Sequence, residues 1–122
     1  MEENVVFNTE DVTNNKIMGI LAYLGLLVLV PVFAAKDSQY ARFHANQGLV
    51  LCISAIILFF ASAIITFIVG IITFGLLALP ITIILYLAVF AYWVAYIVMG
   101  IMNACSGEPK KLPLIGNITI IK

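Results

Sequence analysis

The sequence lacks charged residues over more than half of its length. In the 63 residues from Ala45 to Gly107 there is no Asp, Glu, Lys or Arg, and nearly all are aliphatic, aromatic, alanine or glycine. A soluble domain needs charged side chains to cover its surface, so this absence excludes an ordinary soluble fold. A second uncharged run, from Ile17 to Ala35, is bracketed by Lys16 and Lys36. We therefore predict an integral membrane protein.

The sequence also lacks the parts of a catalytic or metal site. Its one histidine, His44, and its two cysteines, Cys52 and Cys105, have no partners at the spacing that a zinc site or a nucleophile–base pair requires. The uncharged runs hold none of the ionisable groups that ion-coupled transporters carry inside the membrane. The formal net charge is zero, which gives no attraction to nucleic acid. We predict no enzyme, no cofactor, no metal and no nucleic-acid partner.

The apolar runs have the length of membrane spans. About 20 apolar residues cross a bilayer as a helix, so the long run predicts two spanning helices and the shorter run a third. We expect an all-α integral membrane protein that forms a single domain over residues 1–122, with a short interfacial helix between the first and second spans and an extended C-terminal strap. Asp37 or Ser38 is suited to cap the interfacial helix. The expected boundaries are about 14–35, 47–69 and 80–104 for the spans, 36–46 for the interfacial link and 105–122 for the tail.

Small or polar residues share one face on each of the last two predicted spans. A stripe of small residues lets a neighbouring helix approach closely, and Ser and Thr form hydrogen bonds across such a contact. We expect the two faces to meet within the molecule as a helix-packing seam; the alternative is dimerisation through the stripe. The seam comprises Gly48, Cys52, Ala55, Ser62, Thr66 and Gly70 on the second span and Tyr92, Tyr96 and Asn103 on the third.

The distribution of Lys and Arg predicts the orientation. With three spans, the first link and the tail share one side and carry five of the six basic residues, whereas the N-terminal side carries only Lys16. Basic residues accumulate on the cytoplasmic side of membrane proteins. We therefore expect the N-terminus outside, with residues 36–46 and the tail in the cytoplasm.

A cluster of polar and aromatic residues stands where the second span enters the membrane, and it forms the candidate interaction site. In one interpretation it binds a lipid headgroup or the backbone of the tail. In the other, Arg42 anchors the link while His44 or Gln47 caps unpaired backbone groups. We favour the second, because helix ends leave such groups to be satisfied. The cluster comprises Arg42, Phe43, His44, Asn46 and Gln47.

The same cluster carries a family resemblance. The run KDSQYARFHANQGL, residues 36–49, resembles a hallmark of a family of small bacterial and archaeal membrane proteins of unknown function. That family is distantly related to the chloroplast inner-envelope component of the Tic protein-import translocon. The similarity extends to ILAYLG at residues 20–25 and to LPLIG at residues 112–116. It implies a compact helical module in a prokaryotic cell membrane.

These observations favour a non-enzymatic, multi-pass accessory or scaffold subunit that works through helix packing and its cytoplasmic link. Its partners would be the lipid bilayer and either a second copy of the chain or another membrane protein. One alternative, prompted by the Tic resemblance, is a component of a protein-translocation or permeation pathway. Another is a small immunity or stress-protection protein, which is supported only by the size and topology of the chain.

Overall fold

The fold is known from a computed structural model that describes residues 7–121. This part of the chain forms four α-helices and one 3₁₀ turn and contains no strand. The all-α prediction is therefore confirmed for the described residues. In chain order the elements are α1 (Thr9–Leu21), the 3₁₀ turn (Gly25–Val28), α2 (Leu29–Ala34), α3 (Gln39–Ile72) and α4 (Ala78–Ser106).

Two of these helices, α3 and α4, are long and apolar enough to cross a membrane. They have 34 and 29 residues, and at a rise of 1.5 Å per residue each exceeds the roughly 30 Å thickness of a hydrocarbon core. They contain the predicted spans 47–69 and 80–104. The turn between them is tight: Phe74 and Gly75 have φ values of 54° and 84°, and the Gly75 N–H donates to the Gly70 carbonyl at 2.7 Å.

The chain divides into two compact units. The first, which we call the polar unit, consists of the chain up to Cys52 and the chain from Tyr96 onward. The second, the hairpin unit, runs from Ile53 to Ala95 and contains the adjoining parts of α3 and α4 with their turn. The expected single domain over residues 1–122 stays a prediction.

Within the hairpin unit, hydroxyl groups connect α3 and α4. The Ser54 and Tyr92 hydroxyls lie 2.6 Å apart, and Thr82 Oγ1 lies 3.4 Å from Thr66 Oγ1. Most of the large apolar side chains point outward instead; Phe67, for example, is 69% exposed. Exposure of so much apolar surface to water is unfavourable, whereas contact with the acyl chains of lipids is not.

The first predicted span is not one helix. α1 ends at Leu21, Leu24 leaves the helical region with φ −103° and ψ 54°, and Gly25 has φ +67°. The pieces on either side of this break have 13 and 10 residues, too few to cross a bilayer. The predicted helix over 14–35 is wrong, because apolar composition does not register a backbone reversal, and three spanning helices are not confirmed.

The predicted interfacial helix over 36–46 is not a separate element either. Residues from Gln39 onward are the first turns of α3, which continues without a break to Ile72. Of the two predicted caps, Asp37 and Ser38, it is Ser38 that caps this end: its hydroxyl oxygen accepts the Ala41 N–H at 2.9 Å. The apolar stretch after Gln47 continues the same helix, so there is no helix boundary between residues 46 and 47.

The contact between Asp11 and Ser38 corrects the predicted orientation. Ser38 Oγ donates to Asp11 Oδ1 at 2.5 Å, and the Tyr40 N–H donates to Asp11 Oδ2 at 3.1 Å. The prediction placed the N-terminal segment and the link on opposite sides of the membrane. Direct hydrogen bonds cannot bridge a bilayer, so this part of the prediction is wrong.

The tail beyond Ser106 is non-helical through residue 121, as its prolines and glycines predict. It is not simply extended, however. The Gly116 N–H donates to the Leu112 carbonyl at 3.0 Å and closes a turn whose exposed tip, Leu114, has φ +68°.

Candidate interaction site of the polar unit

The buried centre of the polar unit brings together α1, the start of α3, the end of α4 and the tail. It also includes residues 22–25, where the helical backbone is interrupted; we call this interruption the chain break. The largest fully buried side chains of this centre include both aromatic and amide groups, which is unusual for a small helical core. Polar groups at such depth need hydrogen-bond partners, and their pairing defines the site. The side chains are Tyr23, Val28, Pro31, Tyr40, His44, Gln47 and Leu51.

Glycines allow the elements to approach this closely. A Cβ on Gly48 would overlap the carbonyl of Ala22, and a Cβ on Gly100 would overlap the ring of Tyr23. A Cβ on Gly19 would lie 2.5 Å from the hydroxyl of Tyr40. The chain break therefore fits against α3 and α4 because neither helix has a side chain at the contact.

His44 lies in an aromatic enclosure. The rings of Phe7, Tyr23, Tyr40 and Phe43 surround it with centroid distances from 4.9 to 6.2 Å. Its Nδ1 is 2.6 Å from the Tyr23 hydroxyl, while Nε2 is buried without a hydrogen-bond partner among the described residues. His44 thus forms a core contact with the chain break and is closed to solvent.

Asn46 binds the last described part of the tail. Its Nδ2 donates to the Ile118 carbonyl at 2.9 Å, and its Oδ1 accepts the N–H groups of Ile120 and Ile121, the latter at 3.0 Å. One amide side chain thereby satisfies three backbone groups of a segment that has no regular secondary structure.

Gln47 does the same for the turn of the tail. Its Oε1 accepts the Leu112 N–H at 2.8 Å, and its Nε2 donates to the Gly116 carbonyl at 2.9 Å. The Gln47 side chain is 1% exposed, so both bonds are shielded from water. We call Asn46 and Gln47 together the amide clamp.

Residues of α4 complete the contacts. Tyr96 donates its hydroxyl to the Pro113 carbonyl at 2.9 Å, and Asn103 Nδ2 donates to the Lys110 carbonyl at 3.4 Å. The Tyr40 hydroxyl donates to the Ala104 carbonyl at 2.6 Å. The tail therefore folds back along both helices.

The remaining candidates, Arg42 and Phe43, are half-buried. Phe43 packs edge-on against Phe7 with centroids 5.6 Å apart. The structure thus separates the five predicted residues by environment: Asn46 and Gln47 hold the tail, His44 and Phe43 join the aromatic enclosure, and Arg42 is half-buried. The interaction role of these residues stays a prediction.

The predicted seam residues fall in several environments. Ser62 is buried, and Cys52 and Ala55 are half-buried. Thr66 pairs with Thr82, Tyr92 with Ser54, and Gly70 lies beside Ala78. Gly48 instead contacts the chain break, and Tyr96 and Asn103 donate to the tail. The helix-packing role stays a prediction.

Within the polar unit, a groove of about 220 Å³ lies between α1 and residues 34–38. Burial raises the pKa of the Asp11 carboxyl there, but hydrogen bonds from Ser38, the Tyr40 N–H and Asn15 lower it more, so the net pKa lies below its ordinary value. Among the described residues no three His, Cys, Asp or Glu side chains converge as metal ligands. The groove lining is Asp11, Asn15, Ala34, Ala35, Lys36, Asp37 and Ser38.

Sequence reasoning missed several residues of this site. Tyr23 and Tyr40 are central to it, and Gly19 and Gly100 make room for their rings. A tyrosine in an apolar run is ordinarily an interfacial residue, and only its distant partners identify it as part of the core. The signal available in the sequence was the motif ILAYLG, which contains Tyr23.

Comparison with known proteins gives this geometry a context. The model of the magnetosome magnetite crystal formation protein family (MamF/MmsF) matches residues 14–119. The magnetosome proteins MamF of Paramagnetospirillum magneticum AMB-1 and of Magnetospirillum gryphiswaldense MSR-1 are each 38% identical to the chain over 64 residues, which is 50% of this chain and 58% of either MamF. The magnetosome protein MmsF of P. magneticum is 38% identical over 45 residues, 37% of this chain and 42% of MmsF.

No solved structure is significantly similar to the chain. The predicted relationship to the Tic component stays a prediction, whereas the predicted small bacterial membrane family is supported. The family match spans the chain break, both apolar helices, the amide clamp and nearly all of the tail that it holds. On this evidence the chain belongs to the magnetosome magnetite crystal formation family, MamF/MmsF.

Proposed function

We propose that this chain is a non-enzymatic protein of a magnetosome membrane and that it contributes to magnetite crystal formation there as an accessory or scaffold component. The observation that carries the proposal is the family match over residues 14–119. It includes both described helices that are long enough to cross a bilayer and the whole amide clamp. The relatives are magnetosome proteins by name, and the chain covers 58% of either MamF.

The internal hydrogen bonding supports a non-catalytic role. Several polar side chains of the polar unit bond to one another or to backbone groups: Tyr23 to His44, Asp11 to Ser38, Gln47 to the tail. A catalytic site instead presents an acid, a base or a nucleophile to a reachable substrate. These groups therefore hold the segments of the polar unit together.

In the proposed topology α3 and α4 cross the membrane as a helical hairpin, and the charged residues before and after them lie on the cytoplasmic side. The basic residues of the polar unit support this orientation, since the turn over residues 73–77 has none. The exposed apolar side chains of the hairpin unit face acyl chains. The basic residues in the described part are Lys16, Lys36, Arg42, Lys110 and Lys111.

A scaffold acts through a partner. The proposed partner is either a second copy of the chain or another membrane protein of the same vesicle, and the lipid bilayer is the common solvent. The folded tail and the half-buried Arg42 and Phe43 form the part of the polar unit that such a partner would contact.

The proposal is tested by expressing the chain in a magnetotactic bacterium that lacks its own MamF and MmsF. We expect the chain in purified magnetosome membranes and a shift of crystal size, measured by electron microscopy, towards that of the parent strain. A Gln47→Leu variant, which opens the clamp, is expected to reach the membrane but to restore crystal size less well.

The matched control is Asn117→Ala, which removes an exposed amide from the same tail. It should behave as the unmodified chain. Correct localisation at normal abundance with crystals no different from those of the deletion strain would contradict the proposal. That result would favour the permeation or stress-protection alternative.

A further inference from the structure

The first apolar segment, residues 9–38, begins and ends at the same place. Asp11 near its start accepts hydrogen bonds from Ser38 and from the Tyr40 N–H at its end. The groove described above is lined by residues from both ends, among them Asn15 and Lys36. A segment whose ends are joined in this way cannot run from one membrane face to the other.

The middle of the segment nevertheless reaches inward along both apolar helices. The chain break contacts α3 at Gly48 and α4 at Gly100. Gly48 lies six residues beyond Arg42, the last charged residue of α3. At 1.5 Å per residue, the break lies about 9 Å deeper than Arg42, far short of the roughly 30 Å of a complete crossing.

Between residues 17 and 35 the outer surface of the segment is apolar. Ile17, Leu26 and Phe33 are 70%, 75% and 67% exposed, and no Asp, Glu, Lys or Arg occurs from residue 17 to 35. Lys16 and Lys36 bracket this stretch at its two joined ends. Lysines at such positions extend their ammonium groups to the headgroup region while the stem covers apolar surface.

The backbone of the chain break is also prepared for an apolar environment. The N–H groups of Tyr23 and Leu24 donate to the carbonyls of Ile20 and Leu21 at 3.2 and 3.1 Å. The Tyr23 hydroxyl is paired with His44. Non-helical backbone occurs at membrane depth only where it is packed against protein and its polar groups are satisfied.

We propose that residues 9–38 form a re-entrant hairpin that enters one leaflet, reverses at Tyr23–Gly25 against α3 and α4, and leaves by the same face. Its apolar outer surface binds the acyl chains of that leaflet. This inference rests on the proposed insertion of α3 and α4 in a membrane, and it replaces the first predicted span by a segment that does not cross.

The test uses single-cysteine variants of the full chain in which Cys52 and Cys105 are replaced by alanine. Glu10→Cys and Asp37→Cys report the two ends of the hairpin, and Phe74→Cys reports the turn between α3 and α4. With a membrane-impermeant maleimide, we expect Glu10→Cys and Asp37→Cys to react from the same side and Phe74→Cys from the other. Reaction of Glu10→Cys and Asp37→Cys from opposite sides would overturn the hairpin and leave the α3–α4 crossing intact.

A second measurement tests lipid contact. Environment-sensitive fluorophores on Ile17→Cys and Leu26→Cys are expected to be quenched by spin-labelled lipid as strongly as one on Ile84→Cys, an exposed position of α4. If only the Ile84→Cys probe were quenched, the re-entrant hairpin would be overturned, but the proposed function would not be contradicted. Protection of the two hairpin probes from both lipid-borne and aqueous quenchers would assign the surface to a protein contact and likewise overturn the proposal.

Discussion

Tyr23 and His44 are joined by a 2.6 Å hydrogen bond between the phenol and Nδ1, although 21 positions separate them in the chain. Both side chains are essentially inaccessible to solvent. The pair fixes the break between α1 and the 3₁₀ turn to the first turns of α3. It is a fully buried polar contact between the first apolar segment and the centre of the polar unit.

Removal of the phenol oxygen tests this contact. Tyr23→Phe leaves both ring nitrogens of His44 buried without a hydrogen bond, so we expect a loss of about 1–3 kcal/mol in the free energy of unfolding. Thermal unfolding in detergent, followed by circular dichroism, measures it. The control is Tyr86→Phe, which removes an exposed hydroxyl 3.4 Å from the Phe59 carbonyl and is expected to change little. Equal stabilities of the two variants would contradict the structural importance of the pair.

Opening of the amide clamp should release the tail. Gln47→Leu leaves the Leu112 N–H and the Gly116 carbonyl unpaired at a buried position, and we expect a loss of about 1–3 kcal/mol. Limited proteolysis should then cleave the tail after Lys110 or Lys111 faster than in the unmodified chain. Asn117→Ala should change the free energy of unfolding by less than about 0.5 kcal/mol and should leave the cleavage rate of the tail as it is in the unmodified chain. A tail equally protected in Gln47→Leu would refute the clamp.

Two glycines of the long helices should respond oppositely to the same substitution. Gly100→Ala places a methyl group in the ring of Tyr23 and is expected to cost about 1–3 kcal/mol through overpacking. Gly70→Ala adds its methyl group at 3.6 Å from the Ala78 Cβ, an ordinary contact, and should stabilise α3 by up to about 1 kcal/mol. The comparison of melting temperatures in one detergent measures both. A destabilised Gly70→Ala together with a neutral Gly100→Ala would contradict the described packing.

The Asp11 carboxylate predicts sensitivity to acid. Because the pKa of Asp11 is lowered in the folded chain, its stabilising effect is fully present above its ordinary pKa of about 3.9 and is lost as the pH falls through the folded value. We expect the melting temperature to fall below about pH 4, and to fall less in Asp11→Asn, which has no carboxylate to protonate. Glu10→Gln, at an exposed neighbouring position, should retain the acid sensitivity. An identical pH profile for Asp11→Asn and the unmodified chain would argue against this role.

The sequence predicted those features that depend on composition. The uncharged run from Ala45 to Gly107 identified α3 and α4, and the prolines and glycines after Ser106 identified a non-helical tail. A cap at Asp37 or Ser38 was predictable because a polar side chain before a helix has a local partner a few residues onward, and the structure places it at Ser38. Each of these features is determined within a few residues of chain.

The features that failed depend on distant contacts. Hydropathy over 14–35 is the same whether the segment crosses the membrane or reverses at Gly25, and the Asp11–Ser38 contact that decides the matter joins residues 27 positions apart. The predicted separation of the N-terminal segment from the link failed for the same reason, since it was deduced from a count of three spans. Asn46 and Gln47 stood among the predicted interaction residues, but their tail partners could not be predicted because they lie more than 60 positions away.

The clamp also has a consequence for biogenesis. Its two halves are made at different times, since Asn46 and Gln47 leave the ribosome well before residues 112–121 do. In the proposed topology they come together only if the intervening 60 or so residues have threaded into the bilayer and returned. If only one of the long helices inserted, the two amides and the tail would lie on different sides of the membrane, and both would be exposed to proteases. Closure of the clamp therefore distinguishes correctly inserted molecules from incorrectly inserted ones.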